Sequence, residues 1–381
     1  MRILVINNLY PPQELGGYGR SIHDFAAVLA QRGHETRVLC ANMPEWQRGE
    51  THEPHVRRAL RLFGRWKDGG VKFDPDPEQI RRTIEYNHRV IAEAIDRFRP
   101  DACLLGNIDL VSPSPFDSII AKSVPVLHHL GNSSPSYPPQ MTPVNPLYRL
   151  STASHWLKEY LMQKGYPIRS ASVVYPGAYV QQFKSDSLPP RDQLRIAFAG
   201  LIMPYKGAEL LVQALGLLHA DGIRFTCSFA GDTIDPGYVQ NLKDWVTQHG
   251  FAGQVSFLGY LPREKLIELY RTHNVLAFPT TINETFGISQ VEAMAAGMVC
   301  VTSGNGGAAE VVEHGVSGLI FESGDPVALA QALSSLQKNP SRWEQLALVG
   351  QRRALERFDI ERSVDRLERE FERLVKLAAK Q

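Results

Sequence analysis

Short apolar runs alternate along this chain with longer stretches whose apolar residues recur at helical spacing. Arg2 to Asn8 reads as a buried strand, and Ser21 to Arg32 as a helix with Ile22, Phe25, Ala26 and Leu29 on one face. Gly33 stops that helix, and Thr36 to Cys40 is a second strand. This βαβ opening implies a parallel sheet. The alternation resumes with a helix from Glu78 to Phe98, strands at 102–105 and 124–127, a strand at 150–154, a helix at 156–164 and a strand at 172–175. Ser185 to Asp192, SDSLPPRD, is small, polar and proline-containing, and reads as a linker. Behind it a second series begins, with strands at 194–199, 225–230, 255–258, 275–278, 299–302 and 318–321. Helices are expected between them at 208–219, 238–249, 263–273 and 286–296, and beyond them at 326–338 and 360–380. The pattern predicts an α/β chain of two successive doubly wound halves, residues 1–187 and 188–359. The final helix, 360–381, is expected to pack back on the first half. A cleft between two such halves is the default place for a ligand.

One segment breaks the alternation. Residues 45–78 carry Arg57, Arg58, Arg61, Arg65 and Lys67 among Leu60, Leu62, Phe63 and Trp66. Such a basic amphipathic stretch reads in two ways: as a peripheral membrane contact through residues 55–67, or as an exposed insertion over the acceptor side. Asp74-Pro75-Asp76 superficially suits a metal, but its prolines make it a turn.

The 381 residues suffice for two ordinary domains, and the net charge of +1 gives no bias toward nucleic acid. Cys40, Cys103, Cys227 and Cys300 lie apart in or beside apolar runs and read as buried free thiols. The first residues form a strand rather than a signal peptide, and no apolar run is long enough to span a membrane. A soluble cytoplasmic protein is expected, peripheral at most to the inner face of the plasma membrane.

The chemistry concentrates in VLAFPTTINETFGISQVEAMAA, residues 275–296. A strand ending at Pro279 leads through a polar loop into a helix that Gly297 terminates. The helix start presents the backbone N–H groups of Phe286, Gly287 and Ile288, and Gly287 lets a ligand approach the backbone. Unpaired donors and the positive end of the helix dipole together suit a phosphate. Glu292 lies roughly 9 Å along the axis from that start, too far from Glu284 for a close carboxylate pair. The two glutamates are better spaced to hold the two ends of a sugar nucleotide. Elsewhere, Gly16, Gly17 and Gly19 lack the dinucleotide spacing and read either as a turn or as an anion-approach loop. His128 and His129 follow a strand of the parallel sheet, where ligands bind.

These segments resemble a known family. E-x7-E in ETFGISQVE stands with YPPQELGGYGR (10–20), GHETRVL (33–39), SHWLKEYL (154–161), VVYPGAYVQQF (173–183), YKGAELLVQAL (205–215) and GGAAEVVEHGVSGLIFESGDPVALAQAL (306–333). Together they are similar to the retaining glycosyltransferases of family 4, with the GT-B fold of two Rossmann-like domains facing a central cleft. The resemblance covers essentially the whole chain. It implies that Glu284 contacts hydroxyls of the donor sugar and Glu292 the ribose. It implies that amides from Phe286, Gly287 and Ile288 bind the diphosphate and that Lys206 neutralises it. Gly16 and Gly17 pack against the phosphates, His128 or its neighbour His129 faces the crevice, and backbone groups from Gly259 to Leu261 hold the base.

The implied reaction is front-face transfer with retention, from a nucleotide-diphosphate sugar (UDP first, GDP next) and with no metal or permanent cofactor. The implied acceptor is a saccharide or lipid-linked saccharide in surface polysaccharide assembly. The alternatives are a sucrose-like or natural-product glycosyltransferase and a catalytically silent sugar-nucleotide binder. The last arises because Leu201 stands where the family usually has Arg, leaving Arg20 and Arg263 as candidate substitutes.

Overall fold

Two parallel sheets organise the chain. In this computed structural model, residues 1–49, 53–67 and 70–380 are described. They form two units, one of residues 1–176 with 360–381 and one of residues 177–359.

Unit 1 contains strands β1 (Arg2–Ile6), β2 (Glu35–Ala41), β3 (Val56–Leu60), β4 (Gly64–Lys67), β5 (Gly70–Phe73), β6 (Ala102–Leu105), β7 (Val126–Leu130), β8 (Tyr148–Thr152) and β9 (Ser172–Val173). Seven of them make one sheet in the order β3-β2-β1-β6-β7-β8-β9, while β4 and β5 pair as an antiparallel hairpin. Every pairing in the large sheet is parallel. The chain builds outward from β1 in both directions, so the order reverses between β1 and β6. Central strands are buried on both faces, which is why they read as continuous apolar runs.

The last helix, Ile360–Ala378, buries Val364, Leu367, Phe371 and Leu374 in unit 1 and packs against the helix Gly17–Gln31. Its amphipathic register explains this, since those four residues share one face, each worth about 1.5–3 kcal/mol when fully buried. Arg32, just behind the first helix, meets Glu361 and Glu368 at 2.5 Å and Asp365 at 2.9 Å.

Unit 2 contains β10 (Leu194–Ala199), β11 (Phe225–Ala230), β12 (Val255–Gly259), β13 (Val275–Phe278), β14 (Val299–Thr302) and β15 (Leu319–Ile320), all parallel, in the order β12-β11-β10-β13-β14-β15. Here the reversal lies between β10 and β13. Asn274 fixes the entry to this sheet. It accepts from Arg195 N at 2.8 Å and donates to Pro190 O at 2.6 Å and Gln193 O at 2.8 Å. Both units are therefore Rossmann-like, doubly wound α/β structures.

Several expectations change. The unit boundary falls at Pro176/Gly177, ahead of the expected linker, because the short helix Val180–Phe183 buries Val180 and Phe183 and packs on the helix Ile288–Ala295. The basic stretch forms strands rather than one amphipathic face. Arg58 donates to Tyr10 O and Pro11 O, Arg57 meets Glu93 at 3.9 Å and Arg61 lies over the Tyr86 ring. Arg58 thereby ties β3 to the loop after β1. The side chain of Lys67 lies outside the described residues. Asp76 caps the helix Pro77–Phe98 and Asp74 accepts from Asp76 N, a turn as expected. All four cysteines are free and buried. No helix among the described residues is long and apolar enough to cross a membrane.

Candidate functional site

The C-terminal edge of the unit 2 sheet is built from glycines. Gly200 follows β10, Gly231 follows β11 and Gly259 ends β12, all at positive φ. Gly200 N donates to Ala230 O at 3.0 Å and Gly231 N to Gly259 O at 2.8 Å, so the three strand ends are laced together through backbone alone. A Cβ on Gly231 would stand 1.8 Å from Gly200 O. Leu201 sits half-buried in this edge.

Next to it, the turn Pro204–Lys206 is tied to the loop after β13. Tyr205 O accepts from Thr281 N at 2.9 Å. Gly207, at φ +74°, passes so close to Pro279 that a Cβ would lie 1.9 Å from its carbonyl oxygen. This close approach brings together two residues far apart in sequence. Lys206 Nζ lies 2.5 Å from Glu284 Oε1, and Thr280 Oγ1 donates to the same oxygen at 3.0 Å. The pair is mostly shielded, with side-chain exposures of 24% and 12%. Glu284 is also fixed through its backbone: its N donates to Asn305 O at 3.2 Å and its O accepts from Gly307 N at 2.7 Å. Asn305 and Ser303 both donate to Thr280 O, at 2.9 and 2.7 Å. A preorganised ammonium beside a preorganised carboxylate can neutralise an anion and accept hydrogen bonds from hydroxyls at adjoining positions.

The helix of the E-x7-E motif runs Ile288–Ala295 and begins two residues later than expected. Gly287 is its N-cap at φ +95°, a conformation that places Phe286 before the helix. Phe286 is buried against the Phe358 ring at 5.6 Å, so its side chain anchors the turn. Ile288 is half-buried and opens the helix, and Glu292 lies in its second turn, 4% exposed. Gly259 is exposed and Leu261 half-buried, just before the helix Arg263–Thr272. Arg263 there lies over the Tyr179 ring at 4.6 Å.

In unit 1, Gly16 and Gly17 are exposed at the start of the helix Gly17–Gln31, with Gly16 as N-cap. Arg20 pairs with Glu14 at 3.7 Å. The strand that carries the two histidines runs further than expected. Strand β7 extends to Leu130, so both lie within it rather than beyond its end. His128 is 1% exposed, with Nδ1 2.8 Å from Tyr148 Oη and 3.2 Å from Tyr137 Oη. Burial, with His129 alongside, pushes its pKa down to about 3, so it is a neutral core residue. His129 is fully buried on the opposite face, with Nδ1 3.1 Å from Ser151 Oγ and its ring against Phe25. Thr280 and Asn305 were not singled out from the sequence. Their polar side chains in otherwise apolar or glycine-rich strand ends are the only signal there.

Residues 180–353 match the family model described as Glycosyl transferases group 1. The chain is 25% identical over 384 residues to a glycogen synthase of Mycobacterium tuberculosis, covering 94% of this chain and 91% of that one. It is 34% identical over 169 residues to a D-inositol 3-phosphate glycosyltransferase of Xylanimonas cellulosilytica, covering 44% of this chain and 40% of that one. Among solved structures it is similar to Anabaena Alr3699/HepE in complex with UDP and glucose, with a TM-score of 0.73, 20% identity and coverage of 98% and 99%. It is also similar to sucrose-phosphate synthase from Thermosynechococcus elongatus, with a TM-score of 0.78, 16% identity and coverage of 99% and 100%. The shared fold is GT-B.

Proposed function

We propose, for a chain whose matches support a glycosyltransferase of the GT-B superfamily, that it is a retaining, metal-independent hexosyltransferase of family 4. The donor is a nucleotide-diphosphate sugar held by unit 2, UDP before GDP. The UDP complexes of Alr3699/HepE, a protein of the same fold, support that order. The acceptor is a saccharide or lipid-linked saccharide, and surface polysaccharide assembly is the setting.

The observation that carries the reading is the Lys206–Glu284 pair beside the Gly287-capped helix. Lys206 neutralises the leaving diphosphate, and amides from Phe286 to Ile288 bind its oxygens. Glu284 accepts from donor-sugar hydroxyls, and Glu292 holds the ribose. Backbone groups at Gly259 and Leu261 hold the base. Charge on the leaving group grows toward the transition state, so fixed donors at that point accelerate bond cleavage.

A second reading, a silent sugar-nucleotide binder, draws on Leu201. Both are tested by thermal shift against UDP, GDP and ADP, followed by acceptor-free donor hydrolysis. UDP at about 100 times its dissociation constant is expected to stabilise by ~2.7 kcal/mol. Lys206→Ala and Glu284→Gln are expected to slow hydrolysis by about 10²–10³-fold, in the range seen when one charge-stabilising donor is removed. Unchanged hydrolysis in Glu284→Gln sinks the assigned role. Binding without hydrolysis by the wild type favours the silent binder.

A further inference from the structure

One buried hydroxyl in unit 2 has a single place to put its proton. Thr280 follows β13 and is 1% exposed. Its backbone oxygen accepts from Ser303 Oγ at 2.7 Å and from Asn305 Nδ2 at 2.9 Å, which fills both lone pairs of that carbonyl. Asn305 Nδ2 also donates to Ser323 Oγ at 2.7 Å. The loops after β14 and β15 therefore fix the Thr280 backbone, and its branched Cβ restricts rotation about χ1.

Three acceptors lie within reach of Thr280 Oγ1: Glu284 Oε1 at 3.0 Å, Tyr205 O at 3.2 Å and Ile282 O at 3.4 Å. A hydroxyl has one proton to donate. Tyr205 O already accepts from Thr281 N at 2.9 Å and from Thr281 Oγ1 at 3.2 Å, so its two lone pairs are occupied. Ile282 O is neutral and the most distant of the three. The proton therefore goes to the Glu284 carboxylate, where charge assistance makes a hydrogen bond roughly twice as strong as a neutral one.

The two oxygens of Glu284 thereby differ. Oε1 takes both Lys206 Nζ and Thr280 Oγ1, while none of the described residues donates to Oε2. The terminal torsion of a glutamate is broad and two-fold, so a carboxylate held by Lys206 alone can turn and exchange its oxygens. A second donor on a fixed, buried side chain opposes that turn. We propose that Thr280 is a positioning residue for glycosyl transfer: its hydroxyl keeps Glu284 Oε1 on Lys206 and so leaves Oε2 as the oxygen that meets the donor sugar. The inference rests on the glycosyl-transfer reading above and adds to it a residue that acts only through Glu284.

The test is acceptor-free hydrolysis of UDP-glucose by the full-length chain, with UDP affinity measured alongside by isothermal titration calorimetry. Thr280→Val keeps the branched shape and removes the proton. It is expected to lower kcat about tenfold and to change KM by less than about threefold, the pattern of an alignment lost at the transition state. Its dissociation constant for UDP is expected to stay that of the wild type, because UDP carries no sugar for Glu284 to meet, and retained binding shows that unit 2 folds. Thr280→Ser keeps the hydroxyl and is expected to return kcat to within about threefold of the wild type. The proposal is overturned if Thr280→Val turns over as the wild type does, or if Thr280→Ser is as slow as Thr280→Val. It is also overturned if the lost rate comes with lost UDP binding, as a merely structural role would give. A wild type that hydrolyses no UDP-glucose overturns the transferase reading and this role with it, and the donor reading falls only if UDP also fails to bind.

Discussion

The two units share a plan, parallel strands reversing order at the third connection within each sheet, yet they finish their strand ends with different materials. Unit 2 uses backbone. Gly200, Gly207, Gly231, Gly259 and Gly287 all take positive φ, and the ends of β10, β11 and β12 meet main chain to main chain. Unit 1 uses side chains, with Asn7, Asn8, Asn107, Asp109 and Asn132 bonded to one another and to nearby backbone. Its glycines there make room for side chains. Gly131 faces the Tyr18 ring and Gly106 faces Asn7 and Ile22. An edge of bare backbone leaves close approach unobstructed by side chains, whereas an edge of carboxamides and a carboxylate presents polar side-chain groups.

Glycine substitutions give the largest break in this contrast. Gly231→Ala forces a Cβ into the carbonyl of Gly200 at φ +156°, and we expect it to cost about 3 kcal/mol or more in urea unfolding. Gly131→Ala meets an aromatic side chain rather than backbone and is expected to cost about 1–2 kcal/mol. Equal losses would erase the distinction between the two edges.

The next effect is a pH dependence near the unit 1 edge. Burial alone would lower the pKa of His23, but Asp24 at 3.1 Å and Glu53 at 3.6 Å outweigh it and lift it to about 9. The folded form therefore holds the proton more tightly than the unfolded chain does. That stabilisation is complete below pH 6.5 and is lost as the pH rises through 9. Allowing for partial exposure, about 2 kcal/mol is expected to disappear over that window and to be absent in His23→Gln.

Asp109 gives the smallest effect, and of the other origin. Its carboxyl is raised from 3.8 to about 6, so the folded form favours the neutral acid. Between those values the folded chain binds more protons than the unfolded one, and stability falls as the pH rises. A loss of about 1–2 kcal/mol is expected, and Asp109→Asn should flatten it. A flat wild-type profile would show that the carboxylate is not confined as the geometry implies.

What the sequence revealed depended on whether the signal was local. Gly287 was visible because positive φ has a residue signature. The Lys206–Glu284 pair was not, since the two residues meet only because β10 and β13 are neighbours across the sheet. Apolar runs announced strands but not their ends, so His128 was placed beyond β7 when it lies inside. A strand buried on both faces gives no alternation to correct that error. The partners of the basic stretch were hidden for a related reason: Arg58 is bound by carbonyls of a loop 48 and 47 residues away. Asp109 went unremarked because one Asp after a strand is ordinary, and only the fold brings three strand ends together around it.

The return of the helix Ile360–Ala378 to unit 1 sets an order of assembly. Unit 2 is an insertion within unit 1, so on the ribosome the later-encoded half is the first whose sequence is complete. Until Val364, Leu367, Phe371 and Leu374 emerge, the surface of unit 1 that receives them is open, and Arg32 waits for its three carboxylates. Vectorial synthesis therefore leaves the first half of the chain unfinished for the longest time, with apolar surface exposed until the last helix arrives.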